Sequence, residues 1–245
     1  MNQYIKADFL RIAHKKTHIL SVIILALILP VILTFCMVHF LKFSGEESLV
    51  LIVSFSQIFI GVSIFSAVFA DDFRSKTMQV AIGRGLSREQ VILAKELELL
   101  LLTLLYTVIM VIGVAVTAGI LGSPISVTTN IAGNYAGNVL SCMGFYNLAM
   151  IPVYITQKSN MGEIAYVLLS GGIIGSIVSV ALAMDFLPKF VTSLSKYLFS
   201  DCVREFSQGL QSGNLLMQPL AGCIIWIVGA LIITQLIFRK KELDF

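Results

Sequence analysis

Charge is scarce in this chain. Asp, Glu, Lys and Arg make up 13% of its 245 residues while 57% are hydrophobic, against about 25% charged in an ordinary soluble domain. A soluble core of this length could not hide so much apolar surface, so the excess must face a lipid bilayer, and the chain reads as an integral membrane protein. The net charge of +3 is small and no basic stripe exists, which excludes a nucleic-acid partner. Cysteine and histidine are few and scattered. Cys36, Cys142, Cys202 and Cys223, with His14, His18 and His39, show no ligand spacing, so no metal site and no disulfide framework is expected. A GxxxxGK[ST] phosphate loop is missing. No nucleophile, base and orienting acid can be assembled, so the chain is not expected to be an enzyme. No charged residue lies well inside an apolar run, which argues against a channel, pump or self-powered carrier. Energy for any work must come from elsewhere.

What is abundant is long apolar sequence. A span needs about 20 apolar residues to cross roughly 30 Å of hydrocarbon. Six stretches qualify, at about 18–41, 48–70, 97–121, 131–155, 164–184 and 218–238. They lack the alternation of barrel strands and must satisfy their own backbone groups, so they are helices and the fold class is all-α. The first run is too long for a signal peptide and has no small-residue cleavage pattern, so it reads as a retained span. Pro30 near its middle predicts a kink. The positive-inside rule places both termini in the cytoplasm, because 13 of the 17 Lys and Arg then lie inside. The four left outside are Lys42, Lys189, Lys196 and Arg204.

The connecting segments carry the remaining information. Residues 3–16, within an interfacial segment 1–17, predict an amphipathic helix with Ile5, Phe9 and Ile12 on one face, Leu10 and Ala13 alongside, and Lys6, Arg11, Lys15 and Lys16 toward water. Residues 71–96 predict a short transverse helix with Phe73, Thr77 and Val80 at i, i+4 and i+7. Gly83 and Gly85 supply its stop and turn. Ser87 followed by Gln90 is a capping-box start for a helix returning to the third span. "TQKSNMGE", residues 156–163, is a second turn on the same side. On the other side, residues 185–217 show an apolar stripe from Phe186 through Phe190 and Leu194 to Leu198, which predicts a helix at the outer interface.

Small residues inside the spans mark close helix approach. The fourth span opens with a GxxxG pair, Gly133 and Gly137, flanked by Asn134 and Asn138. The fifth carries Gly171, Gly172, Gly175, Ser176 and Ser179. The second carries Ser54, Ser56, Gln57, Ser63 and Ser66. Ser56, Gln57, Ser63, Ser66, Gly172, Ser176 and Ser179 are candidates for a substrate path. Serines bonded to their own helix are the alternative.

Six spans with both ends inside, an interfacial N-terminal helix and a charged segment ending in "GLSREQVILAK" resemble the membrane permease of an ABC transporter of the type-2 exporter class, a single permease domain over 1–245. The resemblance rests on Asp72, Thr77, Met78, Val80, Gly85, Ser87, Arg88 and Lys95, and on the closing tail "FRKKELDF". Many members have a Gly before that Thr, where this chain has Ser75 and Lys76. The resemblance implies that residues 71–83 are a coupling helix docked in a separate cytoplasmic ATP-binding subunit. Asp72, Phe73, Arg74, Thr77, Met78, Val80, Arg84, Ser87, Arg88 and Lys95 would form that contact, with Lys158 of the second turn as a smaller one. ATP and Mg would be held by the partner, and no cofactor by this chain. Two permease copies, identical or paralogous, would enclose a path lined by spans two and five, with 185–217 near its exit. The implied function is export or extraction of a hydrophobic or amphipathic substrate from a bacterial cell membrane, an antimicrobial peptide being one case in self-immunity. Drug or lipid export is an alternative, and so is a membrane scaffold or sensor that transports nothing.

Overall fold

A computed structural model describes residues 2–75, 77–120, 125–182, 197–212, 214 and 216–241. Among these, all regular structure is helical. Among the described residues, five helical segments are long and apolar enough to cross a membrane, and a bent pair supplies a sixth if taken as one span. Large apolar side chains such as Leu20, Phe55, Val108 and Ile225 lie exposed on the outer faces, as a multi-pass protein in lipid requires.

Helix α1 covers Asn2–Ala13 and α2 covers Lys16–Ile23. The first span then opens into a π-helical turn, Ile24–Ile28, before α3, Leu29–His39. Pro30 explains the turn, since it has no N–H for the carbonyl four residues back and its ring crowds that carbonyl. Helix α4 runs unbroken from Gly45 to Arg74 behind a Ser44–Glu47 capping box. In that box Ser44 Oγ accepts from the Glu47 amide at 3.2 Å, and the Glu47 carboxylate accepts from the Ser44 amide at 3.0 Å. The expected transverse helix over 71–83 is therefore two things. Residues 71–74, with Phe73, finish the second span, and only α5, Thr77–Gly83, is the short helix. Asp71 and Asp72 do not end α4 because Lys15 pairs with the first and Arg11 and Lys95 with the second.

Helix α6, Arg88–Ile120, has 33 residues, about 50 Å at 1.5 Å per residue, so it extends well past the hydrocarbon. Helix α7, Ile125–Thr156, is the centre of the bundle, with α4, α6, α8 and both closing helices packed on it. The fifth span is not one rod. Helices α8, Ser159–Ser170, and α9, Ile173–Leu182, meet at a 56° bend. Gly172 sits at φ +74 in that bend, a left-handed conformation that suits glycine. Gly171 and Gly172 thus serve a corner rather than a helix-packing face.

Residues 183–196 lie outside the described residues, and so does the stripe from Phe186 to Leu194. The next element is α10, Phe199–Gln211, which buries Phe199, Cys202, Val203 and Phe206 and turns Arg204 and Glu205 outward. It lies on small residues of α7. A Cβ at Gly137 would strike Ser207 Oγ, and one at Gly144 the Phe199 ring. Gly137 therefore seats α10; the surroundings of Gly133 are outside the described residues. Helix α11, Met217–Lys240, closes the bundle.

Aromatic rings fill the interior between α4, α7 and α8. Tyr146 and Tyr166 stack at 5.0 Å between centroids, and Phe65 and Phe69 lie 4.7 Å apart beside them. Tyr166 Oη donates to the Gln57 carbonyl at 2.9 Å.

Candidate functional site

One end of the bundle gathers α1, α5, the start of α6 and the last turn of α11. Local sequence builds α5 cleanly. Thr77 Oγ1 donates to Asp72 Oδ1 at 2.6 Å at its start. At its end the Leu86 amide reaches the Ala81 carbonyl and the Gly85 amide the Ile82 carbonyl, with Gly85 at φ +95. This pair of bonds is the Schellman arrangement, so Gly85 makes the turn and Gly83 is simply the last helical residue. The next helix opens with the expected box: Gln90 N–H donates to Ser87 Oγ at 3.2 Å and Ser87 N–H to Gln90 Oε1 at 3.0 Å.

Beneath α5 lies an ion-paired junction. Lys95 is fully buried, and its ammonium pairs with Asp8 of α1, Asp72 of α4 and Glu98 of its own helix. Arg11 joins from the rim, 2.9 Å from Asp8 and 2.8 Å from Asp72. Tyr4 covers the ammonium, its ring centroid 5.5 Å away. Burial raises the Tyr4 hydroxyl above its ordinary value; Lys95 opposes this and the carboxylates add to it. For Arg11, burial alone would lower the guanidinium, but Asp72 and Asp8 raise it further, so it stays charged. Lys15 and Asp71, 2.8 Å apart, form an outer tie to α4 just beyond the end of α1. Burying these charges is stable only because they are paired with one another.

The expected contact residues fall into two groups. Asp72, Met78 and Lys95 point inward and cannot present themselves to a partner. Met78 lies under the Tyr154 hydroxyl at 3.9 Å, and Phe73 meets the Tyr154 ring edge-on at 6.3 Å. Thr77 is half-buried by its bond to Asp72. Val80, Arg84, Ser87 and Lys158 are exposed, and the Arg74 side chain lies outside the described residues. Between α1 and α5 these elements leave a cleft of about 580 Å³, walled by Tyr4, Arg11, Thr77, Val80, Arg84 and Leu86.

Arg88 has another task. One of its terminal nitrogens lies 2.7, 3.0 and 2.6 Å from the carbonyls of Phe238, Arg239 and Lys241, with the guanidinium 5.6 Å from the Phe238 ring. It caps α11, whose last carbonyls have no partner within the helix. Lys241 in turn donates to the Ile155 carbonyl of α7 at 2.8 Å. Replacing Arg88 with Gln should lower stability by about 1–3 kcal/mol, since those carbonyls would lose their donor. Thermal unfolding in detergent checks this, and an unchanged midpoint would rule the cap out as a stabilising contact.

The candidate path residues are not brought together within one chain. Ser63 and Ser66 face a cavity beside α2. Ser56 donates to its own Val53 carbonyl at 2.6 Å, and it shares with Gln57 a small gap facing α6 and α7. Gly172 and Ser179 belong to α9 and its bend, while Ser176 is exposed there and donates to the Gly172 carbonyl at 2.8 Å. Sequence reasoning missed Asp8 and Glu98. Their only local signals were the spacings to Arg11 and from Lys95, three residues each, which pair oppositely charged residues on one helix face. It also missed buried Asn147, which donates to Glu96 at 2.7 Å.

No protein-family profile matches this chain, and no characterised protein matches it in sequence.

Proposed function

We propose that this chain is the transmembrane permease of an ATP-driven ABC exporter of the type-2 class, moving a hydrophobic or amphipathic substrate, with an antimicrobial peptide as one candidate. The observation that carries the reading is how α5 is mounted. Its outer face, with Val80 51% exposed, looks away from the bundle, while its root is tied through Asp72 and Lys95 to α1, α4 and α6. A force applied to α5 from the cytoplasm would reach two spans through one rigid, buried contact. The α1–α5 cleft offers a partner both apolar walls and the Arg84 guanidinium. ATP and Mg belong to a separate subunit in this reading, and a second permease copy or paralogue completes the path in a bacterial cell membrane.

Val80→Asp tests it. The side chain is exposed, so the fold should survive, while association with a co-expressed ATP-binding subunit should fall at least tenfold, as a desolvated carboxylate demands. Undiminished co-purification would overturn docking on α5. Thr77 is the poorer probe, because a carboxylate there would confront Asp72. Substrate-stimulated ATP hydrolysis by the reconstituted pair separates an exporter from a scaffold.

A further inference from the structure

A second feature adjoins the docking end. Between α2, α4 and α8 is a cavity of about 340 Å³. Thr17, Ser21, Ser63 and Ser66 line it with hydroxyls, His18 adds an imidazole, and two charged side chains, Lys15 and Glu163, stand on its wall. The two are not equivalent. Lys15 is already neutralised by Asp71 at 2.8 Å. Among the described residues no basic side chain forms an ion pair with Glu163. The cavity therefore holds a half-buried carboxylate without a basic partner at the edge of the apolar spans.

The cavity does not end there. Phe59 forms part of its wall and part of the wall of a second space of about 320 Å³ between the first span and α4. That space is bounded by Leu25, Pro30, Leu33, Met37 and Phe55, and it borders the π-helical turn. A polar chamber with a carboxylate on its wall thus adjoins an apolar trough along one side of α4. An apolar cavity of about 150 Å³ accommodates one benzene. The trough therefore holds roughly a dozen carbons, one alkyl chain rather than two.

We infer that this paired groove binds a single-chain cationic amphiphile, with its ammonium at Glu163 and its tail beyond Phe59. An ammonium brings three donors and no acceptor, which suits the Glu163 carboxylate and the hydroxyl oxygens of a wall that also carries His18 and the Asp71-paired Lys15. An anionic head would meet Glu163 with the Lys15 charge already engaged. A diacyl lipid would leave its second chain outside the trough. As the place where cargo is loaded, the groove rests on the transport reading above; as a binding site it does not.

The experiment uses the chain alone in phosphatidylcholine nanodiscs, with radiolabelled dodecylammonium as probe and dodecanol as its neutral match. Dodecylammonium should bind saturably and at least about tenfold more tightly than dodecanol. Glu163→Gln should remove that preference while leaving dodecanol binding unchanged, which also reports that the groove is still folded. Ser66→Leu, which fills the chamber, should weaken the ammonium more than the alcohol. Equal affinity for the two probes, or a preference that survives Glu163→Gln, overturns the assignment. Displacement of the probe by phosphatidylethanolamine added as half of the disc lipid overturns the single-chain occupant. Neither ATP nor a partner is present, so failure here and failure of ATPase association are read separately.

Discussion

Lys95→Met should be the most damaging single substitution at the docking end. It leaves Asp8, Asp72 and Glu98 in one buried site with only Arg11 to answer them. Breaking a buried ion pair by removing one partner costs about 3–5 kcal/mol. At about 2–4 °C per kcal/mol for a chain of this size, the unfolding midpoint in detergent should drop by on the order of 10 °C. Trypsin should cut after Lys6, Arg11 and Lys15 faster, because α1 loses its inner tie. Adding Asp8→Asn and Glu98→Gln leaves Arg11 facing Asp72 alone, and much of the loss should return. A Lys95→Met protein that melts like the parent would show that these charges are not paired as described.

The second large effect is steric. At Gly61 an added Cβ would fall within the Tyr166 hydroxyl and ring edge. Tyr166 has no room to retreat: it is fully buried, stacked on Tyr146, edge-on to Phe145 at 6.4 Å and bonded to the Gln57 carbonyl. Gly61→Ala should therefore cost about 1–3 kcal/mol from overpacking and a comparable amount from the displaced hydrogen bond. The cycle with Tyr166→Ala is decisive. Removing the ring should make Gly61→Ala nearly neutral, and a penalty unchanged in that background would place the clash elsewhere. Gly83 is the control, because a Cβ added there meets nothing within 4 Å; Ala at that position should stabilise α5 by up to about 1 kcal/mol.

Much of the frame is legible from local pattern. Apolar run length finds the spans, Pro30 finds the break in the first, and Ser87 with Gln90 finds the start of α6. Gly85 finds the turn after α5. Each of these is settled by residues within a few positions of one another. The junction is different. Lys95 reads as one more solvated charge beside a membrane, because its partners Asp8 and Asp72 stand on other helices and no periodicity connects them. For the same reason α4 overruns its expected end. Two adjacent aspartates look like a stop, and only their distant partners make them tolerable inside a packed helix. Gly171-Gly172 misleads in the opposite way: small residues suit both a close helix contact and a bend, and composition does not separate the two. Glu163 needed the placement of α2 and α4 before its missing counter-charge could be seen.

The cap made by Arg88 also orders events during synthesis. Its acceptors lie 150 to 153 residues further along the chain, whereas Lys95 finds Asp8 already made and Glu98 a turn away. A growing chain can therefore neutralise its buried charges early, with α7 and every helix after it still to come. Folding from the N-terminus onward is the general habit of long chains. The Arg88 side chain finds its acceptors only when α11 arrives, so the surface where the two helices meet beside α5 reaches its final form late in newly made protein.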